Sequence, residues 1–259
     1  MRLKEWQLIA VALAALASVA LLVYVSAYAL VSPPLETPPL AKGYVALVRI
    51  EGTIAYSTSQ LALLGSTLDP DSIAKLLDQA AGDPAAGAVV LVIDSPGGSA
   101  AASEALYLKV REVASKKPLV AYIREYGTSG AYMVALPAKA IIASNSSIVG
   151  SVGVYASVLT YSGLLDKLGI KVFVFKSGEL KDIGAGYREP TPMEAQVLGG
   201  MVNDTFELFK QRVLAHRNLR NSDEVFTGRP FTARQALEHG LIDGIGSVSY
   251  THLTLPTSD

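Results

Sequence analysis

Two short glycine-bearing segments hold the residues whose types and spacing could do chemistry. In Gly127-Thr128-Ser129-Gly130-Ala131 a serine lies between an apolar run and a helical pattern, and its small neighbours leave its Oγ open to attack a carbonyl. A serine in that place is also a common N-cap, so position alone does not make it a nucleophile. In Asp94-Ser95-Pro96-Gly97-Gly98-Ser99 two glycines follow a second apolar run and precede a second helix. Glycine lets a backbone approach a ligand closely, and the first amides of a helix have no intrahelical acceptor. Such a turn can offer N–H donors to an oxyanion, although a plain strand–turn–helix joint has the same sequence pattern. It has neither the lysine of a P-loop nor the glycine spacing of a dinucleotide fingerprint.

A serine nucleophile needs a base, and histidine is the usual one. None of the three histidines precedes Ala215. His216 and His239 lie toward the ends of helical patterns and read as surface or capping residues, and His252 lies in a C-terminal stretch that does not resemble a domain end. The alternative base is a lysine kept neutral by its surroundings, which requires its ordinary pKa of about 10.4 to fall by roughly 2–4 units. Lys181 is the candidate, in Ser177-Gly178-Glu179-Leu180-Lys181-Asp182-Ile183-Gly184, with Leu180 and Ile183 beside it. Lys176 competes for the role, and residue chemistry alone leaves both open. There is no cysteine, which excludes disulfides, thiolate zinc sites and a cysteine nucleophile.

The elements that must position these residues alternate. Strands are expected at Tyr44–Ile50, Gly87–Ile93, Leu119–Ile123, Ala140–Ala143 and Lys171–Phe175. The continuous apolar run GAVVLVI is the mark of a strand buried on both faces. Helices are expected at Asp71–Ala81, with Ile73, Leu76, Leu77 and Ala80 on one face, and at Ser99–Val113, Gly130–Pro137, Thr191–Arg217 and Thr232–His239. Proline stands in the first turn of the fourth, and Gly240 stops the last. This alternation predicts an α/β fold with mostly parallel strands and right-handed crossovers.

From Trp6 to Val31 no residue is charged, long enough for an apolar helix to cross about 30 Å of hydrocarbon. Trp6, Tyr24 and Tyr28 sit toward its ends, and Arg2 and Lys4 precede it. The positive-inside bias puts the N-terminus in the cytoplasm and the rest outside. An uncleaved anchor is expected. Ala27-Tyr28-Ala29 has the form of a signal-peptidase site, so a cleaved signal peptide is the alternative. A buried core helix fits poorly, because the stretch lacks a polar stripe. The expected organisation is an anchor at 1–32, a Pro-rich linker at 33–43, one catalytic domain at 44–247, and a non-native or disordered Ser/Thr-rich tail at 248–259. A net charge of −1, with 17% charged residues, gives no electrostatic case for nucleic acid.

Four blocks in order resemble the signal peptide peptidase A family, membrane-bound Ser-Lys proteases of the ClpP/crotonase superfold. They are DSPGG at Asp94–Gly98, TSGAYMVA at Thr128–Ala135, VGSVGVY at Val149–Tyr155 and SGELKDIGAGYREPTPME at Ser177–Glu194. A weaker fifth block spans Glu224–Gly246. The resemblance covers about Val45 to Gly246 and is similar to the single-length form of the family. It implies Ser129 as nucleophile, Lys181 as general base, Gly98 and Gly130 as oxyanion-hole amides with Gly97 shaping the turn, and Ser151 as the hydroxyl that orients the lysine. It implies no metal or cofactor. It also implies remnant signal peptides as substrates at the cell membrane, and a ring-like homo-oligomer in which some members complete a site with a neighbour's residues. A ClpP-type triad is disfavoured, because Gly150–Ser157 holds no histidine. A Ser-Lys protease cutting the tail of a stomatin-like membrane protein shares the chemistry. A crotonase-type acyl-CoA enzyme shares the fold, with the anchor and the Lys181 block against it.

Overall fold

Strand β4 (Ala86–Ser95) is almost wholly buried, and its alternate residues serve two different apolar clusters. Val89, Leu91 and Ile93 join the main core with Ile73, Leu77, Leu106 and Val110 from the helices. Val90 and Val92 join Val120, Tyr122 and Ile142 on the other face. Burying both faces is why the run shows no polar alternation, and each aliphatic side chain fully buried there stabilises the fold by about 1.5–3 kcal/mol.

This is a computed structural model, and it describes residues 43–56 and 67–247. Among them the elements are β1 (Tyr44–Glu51), β2 (Thr53–Ile54), β3 (Thr67–Leu68), α1 (Pro70–Gly82), β4, α2 (Ala100–Ala114), β5 (Leu119–Thr128) and α3 (Gly130–Ala135). There follow β6 (Ala140–Ala143), β7 (Ile148–Gly150), α4 (Ser162–Lys167), α5 (Pro192–His216), α6 (Ser222–Val225), β8 (Pro230–Thr232), α7 (Ala233–His239) and β9 (Gly244–Ile245). The main sheet runs β1-β4-β5-β6-β9, and every pair in that path is parallel. The expected mostly parallel α/β sheet with helical crossovers is what forms.

Helix boundaries follow local chemistry. Asp69 caps α1 by accepting from the Ser72 amide, and Pro70 opens its first turn. Thr191 and Glu194 form a reciprocal capping box at the start of α5, and Gly240 ends α7 in the left-handed conformation. Leu76 corrects the expected apolar face of α1: it is 48% exposed, and the buried residues are Pro70, Ile73, Leu77 and Ala80.

Strand β5 does two things. Its first half pairs with β6, from Val120↔Ala140 to Ile123↔Ala143. Its second half pairs with β7, from Tyr126↔Ile148 to Thr128↔Gly150. Against β4 the register jumps, with Ile93 opposite Ile123 but Ser95 opposite Gly127. The extra residues of β5 are held by Asp94, which accepts from the Arg124 guanidinium at 2.7 Å and from the Tyr126 amide at 3.2 Å. This irregularity lifts Gly127–Ser129 beside the Gly97-Gly98 turn.

Residues 171–175, expected as a strand, form none. Alternation prepares a chain to pair but supplies no partner, and here the side chains of Phe173 and Phe175 stand 78% and 96% exposed. Among the described residues no helix is long and apolar enough to cross a membrane. The expected anchor at 6–31, the linker and the tail at 248–259 lie outside the described residues.

Candidate active site

The Gly97-Gly98 turn is built from both sides. Ser95 Oγ accepts from the Gly97 amide at 3.1 Å. Strand β2 makes a parallel bridge with Gly98: the Ile54 amide donates to Gly97 O and the Ser99 amide to Ile54 O, both at 2.8 Å. In a parallel bridge those bonds belong to the flanking residues, so the N–H of Gly98 itself points away from β2. A methyl group on Gly98 would stand 2.1 Å from Ile54 O, which explains the glycine.

Ser129 sits at the joint of β5 and α3 with φ 52° and ψ −126°. A non-glycine residue with that backbone is strained, and such strain needs support from its surroundings. Here the Ser129 amide donates to Gly150 O at 2.8 Å, continuing the β5–β7 ladder past its end. Its hydroxyl makes no capping bond to α3, so the ordinary role of a serine at a helix start is not taken. Gly130, the first residue of α3, has an amide with no acceptor in its own helix. The two glycine turns abut: a methyl on Gly97 would stand 2.7 Å from Gly130 N, and one on Gly130 would stand 3.6 Å from Gly98 N. Ser129 thus stands next to two amides able to serve one oxyanion.

Ser151 follows β7 as Ser129 follows β5, with φ 51°. Its amide donates to Arg229 O at 3.1 Å, and its hydroxyl donates to Gly228 O at 3.0 Å. With its proton spent on a carbonyl, the hydroxyl presents lone pairs and can accept from an ammonium. Ser129, Gly97, Gly98, Gly130 and Ser151 all line one cleft of about 950 Å3. Met133, Val202, Phe206, Phe209 and Phe226 supply apolar surface to the same cleft. The contribution of α5 and of the loop after α6 to this wall had no mark in the sequence beyond their apolar periodicity.

Lys181 is not brought to Ser129. It is exposed, does not line the cleft, and has no salt-bridge partner among the described residues. Lys176, the competing lysine, is committed elsewhere: its ammonium donates to Asp182 and to Glu179 O, both at 2.7 Å. Asp182 also accepts from Tyr187 Oη at 2.7 Å and pairs with Arg188 at 2.9 Å. These donors hold its carboxyl well below the usual carboxylate range, Arg188 most of all. Arg188 bridges onward to the buried Glu194 at 2.6 Å, whose carboxyl falls to about 2 through Arg188 and the Thr191 amide. The Lys181 segment is therefore tied to the first turn of α5.

Neither of the two described histidines, His216 and His239, lines the cleft. His216 Nε2 lies 2.9 Å from Tyr107 Oη, and burial together with Arg111, Arg212 and Arg217 lowers its pKa. His239 packs on the Phe231 ring at 4.9 Å. His252 is outside the described residues. A buried polar residue of the cleft also escaped the sequence reading: Ser103 on α2, fully buried, whose Oγ lies 2.0 Å from where a Gly130 methyl would stand.

The model of peptidase family S49 matches residues 111–256. The Methanocaldococcus jannaschii protein MJ0651 is 42% identical over 174 residues, which cover 66% of this chain and 56% of that protein. The chloroplastic serine protease SPPA of Arabidopsis thaliana is 29% identical over 79% of this chain and 31% of its own length. Protease 4 of Haemophilus influenzae is 29% identical over 78% of this chain and 33% of its own length. The chain thus spans between about half and a third of the length of these relatives. A solved structure of the 1510-N membrane-bound stomatin-specific protease aligns at 16% identity with a TM-score of 0.49, covering 82% of this chain and 84% of that one.

Proposed function

The chain belongs to peptidase family S49, and from that premise we propose that it is a serine endopeptidase with a Ser129–Lys181 dyad. The observation that carries this reading is the uncapped Ser129 hydroxyl, held by a strained backbone beside the Gly98 and Gly130 amides in one cleft. Ser129 Oγ attacks the peptide carbonyl while a neutral lysine takes its proton. The oxyanion rests on the two amides, and the loss of one such donor typically costs about 3–4 kcal/mol of transition-state stabilisation. The lysine returns the proton to the leaving amine, and the C–N bond breaks. Water, activated by the same lysine, then releases the acyl group from Ser129.

Lys181 acts from a neighbouring copy of the chain. Three things support this: its absence from the cleft of its own chain, the unpaired alternating segment 171–175, and the exposed apolar residues Tyr155, Leu159, Phe173 and Phe175. Apolar surface on this scale calls for a partner, and a head-to-tail contact repeated about an axis closes a ring. Ser151, with its proton on Gly228 O, accepts from the arriving lysine and orients it.

The substrates are extended, apolar peptides, which suit a cleft walled by Met133, Phe206 and Phe209. Signal-peptide remnants at the cell membrane fit both that wall and the uncharged stretch 6–31, which anchors the catalytic domain on the extracytoplasmic side. A serine-directed phosphonate should label the wild type at Ser129 and leave Ser129→Ala unlabelled, with casein cleavage lost in the same variant. Casein cleavage retained by Ser129→Ala would end this reading. Comparing signal peptides with the tail of a stomatin-like protein as substrates decides between the two substrate classes.

A further inference from the structure

Ser103 is a buried hydroxyl with nothing to bond. It lies on α2, one turn after the Gly97-Gly98 turn, and its residue is 0% exposed. Its Oγ has no hydrogen-bond partner among the described residues. A serine inside a helix ordinarily returns its hydroxyl to the carbonyl four residues back. Here Ser99 O takes the Ser103 amide at 3.0 Å, and the hydroxyl does not share it. Orphaned buried hydroxyls are uncommon because desolvation without a partner is costly, so each calls for an explanation.

Its location supplies one. Ser103 lines the same cleft as Ser129, Gly98 and Gly130. The Oγ lies 2.0 Å, and the Cβ 2.7 Å, from the place a methyl on Gly130 would take, and that place is 3.6 Å from the Gly98 amide nitrogen. The hydroxyl therefore packs against Gly130, close to the turn that carries the Gly98 amide. Alanine at 103 would fill the same helix position without stranding a polar atom, so packing does not account for serine.

We infer that the Ser103 hydroxyl is a third donor to the oxyanion, unpaired in the resting chain because its acceptor forms only when Ser129 attacks. This rests on the proposed Ser129 chemistry. Before attack the hydroxyl carries a desolvation cost with no return. When the carbonyl oxygen acquires its negative charge, Ser103 donates to it alongside the Gly98 and Gly130 amides. No proton leaves Ser103, so the proton inventory of the dyad is unchanged. A donor aimed at charge that develops only in the transition state raises kcat rather than lowering KM.

The test uses the full chain in its active assembly, with Ser103→Ala and Ser103→Cys. Both remove the strong donor, and the thiol keeps a polar, similarly shaped side chain. Turnover, KM, inhibition by a peptide aldehyde that forms a tetrahedral adduct, and thermal unfolding are measured together. We expect kcat to fall roughly 10- to 100-fold in both variants and aldehyde affinity to fall with it. KM should stay within about twofold, and Ser103→Ala should unfold at the same or a higher temperature. Unchanged kcat and aldehyde affinity in Ser103→Ala would overturn the inference. So would a parallel weakening of KM, aldehyde affinity and unfolding temperature, which is the signature of a packing role. Failure of the Ser129 reading is seen separately, as cleavage by Ser129→Ala.

Discussion

Ser129 and Ser151 occupy equivalent places, each one residue past the end of the paired strands β5 and β7, where Thr128 lies opposite Gly150. Both hold positive φ, 52° and 51°, and among the described residues no other non-glycine does. The Ser129 amide bonds to Gly150 O, so the two strained residues share one junction. Such backbones cost of order 1–3 kcal/mol each and persist where the surroundings enforce them. Two substitutions that both delete the hydroxyl isolate this cost. Ser129→Gly should be more stable to urea than Ser129→Ala by about 1 kcal/mol, because glycine tolerates positive φ without a Cβ penalty. Equal midpoints would show that the junction is unstrained.

The contact of Ser103 with Gly130 predicts a coupled pair. A methyl on Gly130 would meet Ser103 Oγ at 2.0 Å and Ser103 Cβ at 2.7 Å. Gly130→Ala should therefore destabilise by about 1–3 kcal/mol, the usual cost of overpacking. Ser103→Gly removes both clashing atoms. The double variant should recover at least about half of that loss relative to the sum of the single changes, as read from a denaturation cycle.

The strands that deliver the site were legible because burial on both faces leaves an uninterrupted apolar run, as in Val89–Ile93 and Leu119–Ile123. The second half of β5, Arg124–Thr128, was not, since its shape depends on the Asp94 carboxylate and on pairing with the three-residue strand β7. Ser129, Gly98, Gly130 and Ser151 were legible as members of ordered motifs, and the fold gathers them into one cleft. Ser103 was not, because nothing local distinguishes a helix serine from one that meets a glycine 27 positions later (130 − 103). The strand expected at 171–175 failed for a related reason: alternation prepares a segment to pair, whereas pairing needs a partner strand, and none of the described strands takes it.

The Asp182–Arg188–Glu194 network predicts a low-pH limit to stability. The Glu194 carboxyl is lowered from 4.5 to about 2, and Asp182 is lowered too. A depressed folded pKa contributes stability that is fully present above the unfolded value and is lost as pH falls through the folded one. Thermal stability should thus be level above about pH 5 on this account and decline as pH drops from 4.5 toward 2. Glu194→Gln should flatten part of that decline. Because the network also anchors the Lys181 segment to α5, the same variant should lower kcat at neutral pH by about tenfold, measured beside its pH–stability curve.

The separation of Lys181 from the cleft of its own chain leads to the sharpest prediction. Ser129→Ala and Lys181→Ala should each lose about a thousandfold or more in turnover. Lys176→Ala, which breaks the 2.7 Å pair with Asp182, should lose about tenfold or less. If a neighbour supplies the lysine, co-assembling the two inactive variants rebuilds sites in which an intact Ser129 meets an intact Lys181. Random equal mixing in a head-to-tail ring makes about a quarter of the sites complete. Activity recovered to that level after the two variants are unfolded and refolded together, and absent when they are refolded apart and assayed at once, places the dyad across a subunit boundary. No recovery in an assembly shown to be mixed would place both residues in one chain and require the 171–181 segment to fold back over its own cleft.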